Sequence, residues 1–582
     1  MSDCIKHECG VALLRLRKPL AHYAAKYGTS AYGFEKLSLL LEKQHNRGQD
    51  GAGIACLGLD VPSGRPFYQL EKSCSSMPLA DLLERISGML GNSISTGDQG
   101  SFAALERPFC GDVYLGHLRY GTFGRRTLDA CHPVVNDSFR REGTLLLAGN
   151  FNLTNTRDIF ARLTSQGYHL KGTQDCQVLI ADLAHHLEKH CGALKPAVSE
   201  AAAHWDGGFV ICGILGNGDA FAFRDAHGIR PAFYYVDEEE AVVASERVAI
   251  QTAFNLPSEK VLELPPGHIL TIPREGSPDL ARCLPKAEPR KCVFERIYFS
   301  RGNDGEIQLE RRALGRAVVP QVLNAVQNDY DHTVFSYIPN TAQVSFHGML
   351  DALDELRQGR RLRFGMVAVK DAKFRTFISD AGRRDELFPH VYDVSYGLVH
   401  PDEDNLVVID DSIVRGNTMR RAILPILDRL SPKRIVVVSS APQIRYPDCY
   451  GIDMASFGEL VAFQACMDLI RRRGLEELFS ETVRAAQTDL LKPDSEMKNQ
   501  AARLYEPFTD DEVTEAIRLR LLPDSLRAEL RVVFPSCQDL RRCIPHHTGD
   551  WYFTGDYPTP GGNRVVNQAL VNYACNLSGR AY

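Results

Sequence analysis

The feature that most constrains what this chain can fold into is the stretch Val407 to Met419, VVIDDSIVRGNTM. Leu406 to Ile409 is a short continuous apolar run ended by a turn, which suits a strand covered on both faces of a parallel sheet. Charge begins where that strand should end. Asp410 and Asp411 follow, at the carboxyl end, where open α/β sheets place their ligands. Ser412 to Thr418 adds a glycine with hydroxyl and amide side chains before the helical pattern Met419 to Leu430. Backbone N–H groups at a helix N-terminus are therefore available to a phosphate. The apolar run Arg434 to Ser439 completes a β-α-β unit. An acidic pair after a strand also serves simply to cap a helix, and these residues alone leave both readings open.

At 582 residues the chain exceeds one hydrophobic core, so two or three domains are expected. A formal net charge of -6 gives no reason to expect a nucleic-acid partner. No apolar run approaches the roughly 20 residues that span a bilayer, and the N-terminus lacks the pattern of a secretory signal, so a cytoplasmic location without membrane attachment is expected. The 16 cysteines fall at irregular intervals with no C-x-x-C pair, which predicts reduced thiols rather than a disulfide framework.

The stretch around Asp410 resembles the phosphoribosyl pyrophosphate (PRPP) signature of type I phosphoribosyltransferases, and DDSIVRG is closest to the glutamine PRPP amidotransferase family. The resemblance implies that Asp410 and Asp411 accept hydrogen bonds from the ribose hydroxyls while Ser412, Arg415, Gly416, Asn417 and Thr418 surround the 5′-phosphate. VFSYIPNTA, Val334 to Ala342, matches the family loop that contacts pyrophosphate and metal, with Asn340 replacing the usual acid. Thr341, Asp410 and Asp411 are thus candidate contacts to a Mg²⁺–PRPP complex, directly or through water. KDAKFRTFISDAGRR matches a flap that folds over PRPP, through Arg375 and Arg384, and Asp393 stands about where a lysine is usual.

Cys9 lies in the strand-like HECGVALL. QHNRGQDGAGI (Gln44 to Ile54), LGHLRYGTFG (Leu115 to Gly124) and LAGNFNLTN (Leu147 to Asn155) then resemble, in order, the N-terminal-nucleophile glutaminase domain of the same family. The resemblance implies removal of residues 1–8 to expose Cys9, whose free α-amino group, with a pKa of about 7.7 to 8.0, then serves as base for its own thiol. By the same match Arg119 pairs with the glutamine carboxylate, Asp175 with its ammonium group, and Asn150 with the Phe151 N–H forms the oxyanion hole. The family normally has His-Asn-Gly where this chain has Gly149-Asn150-Phe151, and Asn46 looks like an insertion. FRDAHGIRPAFY, Phe223 to Tyr234, also matches the family, and these segments are expected to build scaffold rather than to take part in chemistry.

The expected organisation is an α+β glutaminase domain with an αββα sandwich (9–275), a Pro-rich linker (276–290), an α/β transferase domain with a parallel sheet (291–475) and a helical C-terminal extension (476–582). Within that extension, Glu512 to Leu521 and Leu526 to Val533 have helical spacing. Some family members hold an iron–sulfur cluster, which needs four thiolates. Here Cys292 is present, but Asp448 stands at a usual ligand position beside Cys449, and Trp551 and Tyr552 precede FTGDYP without a C-x-x-C, so no cluster is expected. The resemblance implies glutamine hydrolysis at Cys9, passage of ammonia through an internal channel and attack on C1 of PRPP, making 5-phosphoribosylamine. It also implies a homo-oligomer inhibited by purine nucleotides. Two other readings are a homologue using free ammonia or another acceptor, and a non-catalytic PRPP or nucleotide sensor.

Overall fold

A computed structural model describes residues 8–92, 107–121, 127–170, 172–339, 341–370, 392–452, 454–577 and 581. The chain divides into two compact units, one running to Cys292 and including Cys449–Asp453, the other comprising Val293–Asp448 and Met454–Tyr582.

Among the described residues the first unit contains thirteen strands: β1 (Gly10–Leu16), β2 (Gly51–Leu57), β3 (Tyr68–Ser73), β4 (Val113–Arg119), β5 (Val134–Asn136), β6 (Leu145–Leu153), β7 (Gly207–Leu215), β8 (Ala220–Arg224), β9 (Phe233–Val236), β10 (Glu240–Ala244), β11 (Leu262–Glu263), β12 (His268–Ile272) and β13 (Asp279–Arg282). They form two antiparallel sheets, ordered β11-β9-β10-β1-β4-β2-β3 and β13-β12-β8-β7-β6-β5. Because successive side chains alternate between faces, Val11 and Leu13 of β1 join Leu146 and Ala148 of β6 in the core between the sheets. Ala12 and Leu14 pack outward with Leu37 and Leu41 of the helix Tyr32–Glu42. Leu145 and Leu147 pack on the opposite outer face with Val178, Leu179 and Leu183 of the helix Asp175–Lys189. Every residue of β1 is buried. The layers are therefore helix, sheet, sheet, helix, as expected from the motifs. The segment expected to be a featureless linker carries β13, whose backbone hydrogen-bonds to β12; edge pairing needs little side-chain periodicity.

In the second unit β14 (Thr333–Tyr337), β15 (Arg363–Phe364), β18 (Asn405–Asp410), β19 (Arg434–Ser439) and β20 (Glu529–Val533) form a wholly parallel sheet ordered β15-β14-β18-β19-β20. β16 (Ala368–Lys370) and β17 (Tyr392–Val394) form a separate antiparallel pair. Val407 and Ile409 pack with Val436, Val438, Phe335 and the helix residues Phe346, Met349 and Leu353. Two local expectations change. Leu526 to Val533, read as helical, contains β20, because the open edge of β19 supplies a ladder of hydrogen bonds and makes the C-terminal region part of the sheet. The helix after the acidic pair opens at Asn417, widens into a π turn over Met419–Ile423 and continues as a short α segment Leu424–Asp428. Pro425 has no N–H to continue the regular ladder there.

The segments considered for cluster binding contain aromatic packing. Trp551 is fully buried and its Nε1–H donates to Asp448 Oδ1 at 3.0 Å, while Tyr552 meets Phe294 edge-on with centroids 4.9 Å apart. Among the described residues no helix is long and apolar enough to cross a membrane.

The helices Gly305–Ala317 and Gln343–Leu356 touch backbone to backbone: a Cβ at Gly315 would lie 1.7 Å from the Ser345 carbonyl oxygen, and one at Gly348 2.0 Å from that of Arg312. Gly315→Ala must push the helices apart, an overpacking worth about 1–3 kcal/mol, so thermal melting should show this unit unfolding several degrees lower.

Candidate functional site

Chemistry-bearing residues collect in one place in each unit. In the first unit, Cys9 precedes β1 and its sulfur accepts a hydrogen bond from the Tyr120 N–H at 3.3 Å. Burial pushes the thiol up to about 11; the Tyr120 contact and the positive charges of Arg119 and Arg47 oppose that rise, and Asp175 adds to it. Arg119 ends β4, next to β1, and is buried. Asp175 opens the helix Asp175–Lys189, where its Oδ1 accepts from the Cys176 N–H at 2.9 Å. The charges of Arg119 and Asp175 thus both reach the Cys9 sulfur, so the fold gathers side chains far apart in sequence.

Asn150 and Phe151 lie on β6, opposite Val210 and Phe209 of β7. Asn150 is buried, and its Nδ2–H donates to Glu8 Oε2 at 3.3 Å. β5 pairs with β6 only as far as Leu147, so past that point the backbone needs other partners. Two histidines supply them. His117 shares a 3.1 Å hydrogen bond with the Gly149 carbonyl, and the Gly149 N–H donates to His132 Nδ1 at 3.3 Å. Accepting at Nδ1 requires neutral His132, and burial holds its pKa well below the ordinary imidazole range. Burial takes His117 down to about 3, so neutral His117 donates from Nε2.

The Phe151 ring stacks on His132, centroids 5.2 Å apart and planes 17° apart. A Cβ at position 149 would stand 2.8 Å from Phe151 Cδ1 and 2.5 Å from the Val210 carbonyl oxygen. Gly149 is therefore what makes room for the phenylalanine ring. The glycine that the family pattern puts after Asn150 stands before it, where it serves packing.

Sequence reasoning assigned no role to several polar groups around Cys9. Gln44 ties the strand to its helix: its Oε1 accepts from the Ser245 N–H at 3.1 Å and its Nε2–H donates to the Val11 carbonyl at 3.4 Å. Arg47 and Asn46 both donate to Glu246 Oε1, at 2.8 and 2.5 Å. Arg230, within a motif read as scaffold, is fully buried and donates to Glu8 Oε1. The matched strings QHNRGQDG and RDAHGIRP marked these positions, but a buried ion pair between residues 222 apart in sequence leaves no local periodicity.

In the second unit, β14 and β18 run parallel with Tyr337 opposite Ile409. Thr341 and the acidic pair consequently follow the same edge of the sheet. Asp410 and Asp411 are both buried. The Asp411 N–H donates to Asp410 Oδ1 at 2.9 Å, the Ser412 hydroxyl to Asp411 Oδ1 at 2.9 Å, and the Ser440 N–H and hydroxyl to the carbonyls of Asp410 and Asp411 at 2.9 and 3.0 Å. Burial raises the Asp411 carboxyl to about 6, against the pull of the Ser412 hydrogen bonds and the Arg311 charge. Arg311 was missed because it sits in an ordinary helical pattern about a hundred residues earlier; its Nε–H donates to the Arg296 carbonyl at 2.7 Å.

Gly416 turns the loop with φ +73°, a backbone angle that favours glycine, and a Cβ there would press within 2.6 Å of Leu521. Arg415 donates to Glu459 Oε2 at 2.7 Å beside a cleft of about 610 Å³ lined also by Asn417, Arg420 and Arg520. Thr418 is buried at the start of the π turn, and Asn417 is exposed. Arg375 and Arg384 lie outside the described residues. Asp393 is exposed on β17, opposite Val369. Among the described residues no three His, Cys, Asp or Glu side chains are arranged to hold a metal ion.

A glutamine amidotransferase domain model matches residues 132–252. The chain is 30% identical over 397 residues to the amidophosphoribosyltransferase of Pasteurella multocida, covering 64% of this chain and 75% of the relative. It is 29% identical to that of Escherichia coli, covering 74% of this chain and 80% of the relative. A solved structure of glutamine PRPP amidotransferase from B. subtilis, complexed with ADP and GMP, superposes with a TM-score of 0.66 at 21% identity, over 95% of this chain and 97% of that one. Two-unit architecture, motif order and this extent of similarity agree, and the chain belongs to the amidophosphoribosyltransferase family.

Proposed function

We propose that this chain makes 5-phosphoribosylamine, glutamate and pyrophosphate from PRPP, glutamine and water, the first step of purine synthesis. The observation that carries the reading is that each unit gathers one half of this chemistry: Cys9 within reach of the charges of Arg119 and Asp175 in the first, and a buried pair of carboxylates at the carboxyl edge of a parallel sheet in the second.

In the glutaminase half Arg119 holds the substrate carboxylate and Asp175 its ammonium group. The Cys9 sulfur attacks the side-chain amide, and Asn150 with the Phe151 N–H stabilises the oxyanion. A thiol at about 11 is ionised to only about one part in 10⁴ at neutral pH, so sulfur needs a base. Removal of residues 1–8 supplies one, the α-amino group of Cys9, and domains spanning 9–275 and 291–475 then divide the work.

In the transferase half Asp410 and Asp411 accept the ribose hydroxyls, and Ser412, Gly416, Asn417 and Thr418 surround the 5′-phosphate, with Arg375, Arg384 and Arg415 as further cations. Ammonia attacks C1 as pyrophosphate leaves, and the carboxylates favour the developing positive charge on the sugar. Oxygen donors on Thr341, Asp410 and Asp411 suit Mg²⁺, with the remaining ligands coming from substrate and water. When bound, the ion neutralises charge on the departing pyrophosphate. The same reading supports purine nucleotides as inhibitors, a homo-oligomer and a cytoplasmic location.

One assay tests the whole reaction. Cys9→Ala should lose PRPP-dependent glutamate release by about 10³-fold or more yet still form pyrophosphate from PRPP and free ammonia. Absence of pyrophosphate with either donor would leave the sensor reading instead, and turnover with ammonia alone in the unsubstituted protein would favour the ammonia-using homologue.

The Asp411 carboxyl must be ionised to accept two ribose hydrogen bonds. Its pKa is raised, so protonation near pH 6 removes the acceptor: kcat/KM for PRPP should fall as pH drops through about 6, and Asp411→Asn should flatten that limb. The substitution itself should cost about 10- to 100-fold in kcat/KM, the range for losing a hydrogen bond to a charged group. For the free protein the sign reverses. The buried charge lowers stability as pH rises from the ordinary carboxylate range towards 6, and melting of the Asp411→Asn protein should lack that slope.

A further inference from the structure

Two thiols meet in the first unit that the glutaminase chemistry does not use. Cys74, just past the end of β3, and Cys131, after the single 3₁₀ turn Leu128–Ala130, have their sulfurs 3.2 Å apart. Cys131 is fully buried, and its thiol donates to the Ser73 carbonyl at 3.9 Å. A Cβ at Gly51 would fall 2.5 Å from the Cys131 sulfur, so glycine at the start of β2 leaves the space that seats this sulfur beside Cys74. Cys74 is half-buried and is followed by exposed Ser75, Ser76 and Met77, so a small solute reaches it first. Burial pushes the Cys131 thiol up to about 12, with Cys74 adding to the rise and the charges of Arg119 and Lys72 opposing it. Lys72, whose own pKa burial lowers, stands within electrostatic reach of both sulfurs and supplies the positive charge that favours a thiolate.

We propose that Cys74 and Cys131 form a reversible oxidation site that takes a hydroperoxide, and that the disulfide they make slows glutamine hydrolysis by drawing His132 off the Gly149 backbone. The second half rests on the glutaminase reading; the first does not. The Cys74 sulfur attacks one peroxide oxygen, so an S–O bond forms, the O–O bond breaks and water leaves. The Cys131 sulfur then attacks the Cys74 sulfur; the S–S bond forms, the S–O bond breaks, and the oxygen departs as a second water with the Cys131 proton. Two thiols and one hydrogen peroxide give one disulfide and two waters, the sulfurs losing the two electrons that the peroxide gains. A disulfide is about 2.05 Å long, so the two sulfurs must close by roughly 1 Å. Cys74 is the anchored side: Ser73 pairs with Ala52 in the sheet, and the Ser75 N–H donates to Ser73 Oγ at 3.2 Å. Cys131 ends a lone turn whose Leu128 and Asp129 are exposed, so this side yields. His132 comes next, and its 3.3 Å hydrogen bond from the Gly149 N–H has little slack. Asn150, which the glutaminase reading gives to the oxyanion, follows Gly149 directly on β6.

The test treats the reduced, purified protein with equimolar hydrogen peroxide, alkylates the remaining thiols and digests the chain. Mass spectrometry should find a peptide pair joined through Cys74 and Cys131, lost on treatment with dithiothreitol and absent from Cys74→Ser. In the same samples PRPP-dependent glutamate release should fall about 10-fold or more, while pyrophosphate formation from PRPP and free ammonia holds, and dithiothreitol should restore the release. Cys74→Ser, with melting as the folding check and Cys74→Ala as a second variant, should keep its glutamate release at the same peroxide dose. Equal loss of release in both variants would place the damage at Cys9 and overturn the proposal. Alkylation of Cys74 and Cys131 in the treated chain, with no joined peptide, would overturn it too, as would a joined peptide that leaves glutamate release unchanged. If the untreated protein releases no glutamate although the joined peptide forms, the glutaminase reading fails, and the oxidation site stands without its effect on glutamine.

Discussion

A strand covered on both faces tolerates charge along its length only where partners meet it, as Arg15 near the end of β1 meets the Leu16 carbonyl, and much of this protein's layout follows from that constraint. Uncompensated charge in the interior is costly, so ionisable groups on such strands move to their ends or find partners. β1 and β18 are each buried throughout. The nucleophile stands just ahead of β1, and the acidic pair sits at the end of β18. Parallel pairing of β14, β18 and β19 then brings the end of each strand to one edge, which is why Thr341, Asp410 and Ser439–Ser440 collect there.

Where backbone polar groups remain inside this site, side chains placed for geometry meet them. β6 outruns its neighbour β5, and its backbone at Gly149, beyond the last β5 pairing, is satisfied by two imidazoles kept neutral by burial. Neutrality is part of the fit, because a protonated His132 has no lone pair for the Gly149 N–H. A row of three rings follows, His117 tilted against His132 with centroids 4.2 Å apart and His132 stacked on Phe151, and the missing Cβ of Gly149 leaves space for the last ring. Gly149 and Phe151 thus fit one another at this strand, the space of the missing Cβ taken by the ring.

The acidic-pair site was legible because its parts are local: β18 and β19 came out within a residue of the apolar runs that predicted them, and the loop between begins where charge begins. Other positions were misread where long-range pairing outweighed local pattern. Leu526 to Val533 has helical spacing, yet β19 needed a neighbour and took Glu529–Val533 as a strand. Arg230 lay in a segment read as scaffold and Arg311 was assigned no role, and only folding brings one onto Glu8 and the other within reach of the Asp411 charge.

The sequence by itself determined the kind of chemistry and its order along the chain. Residue types at short spacings, such as DDSIVRG or Cys9 before Gly-Val, carry chemical meaning without knowledge of distant partners. Tertiary structure alone decided which charges share a pocket and how far their protonation shifts, as in the Glu8–Arg230–Arg47 cluster and the raised Asp411 carboxyl. The physical reason is that burial and Coulomb interaction depend on distances through space, and residues more than two hundred positions apart acquire a distance only when the strands between them pair.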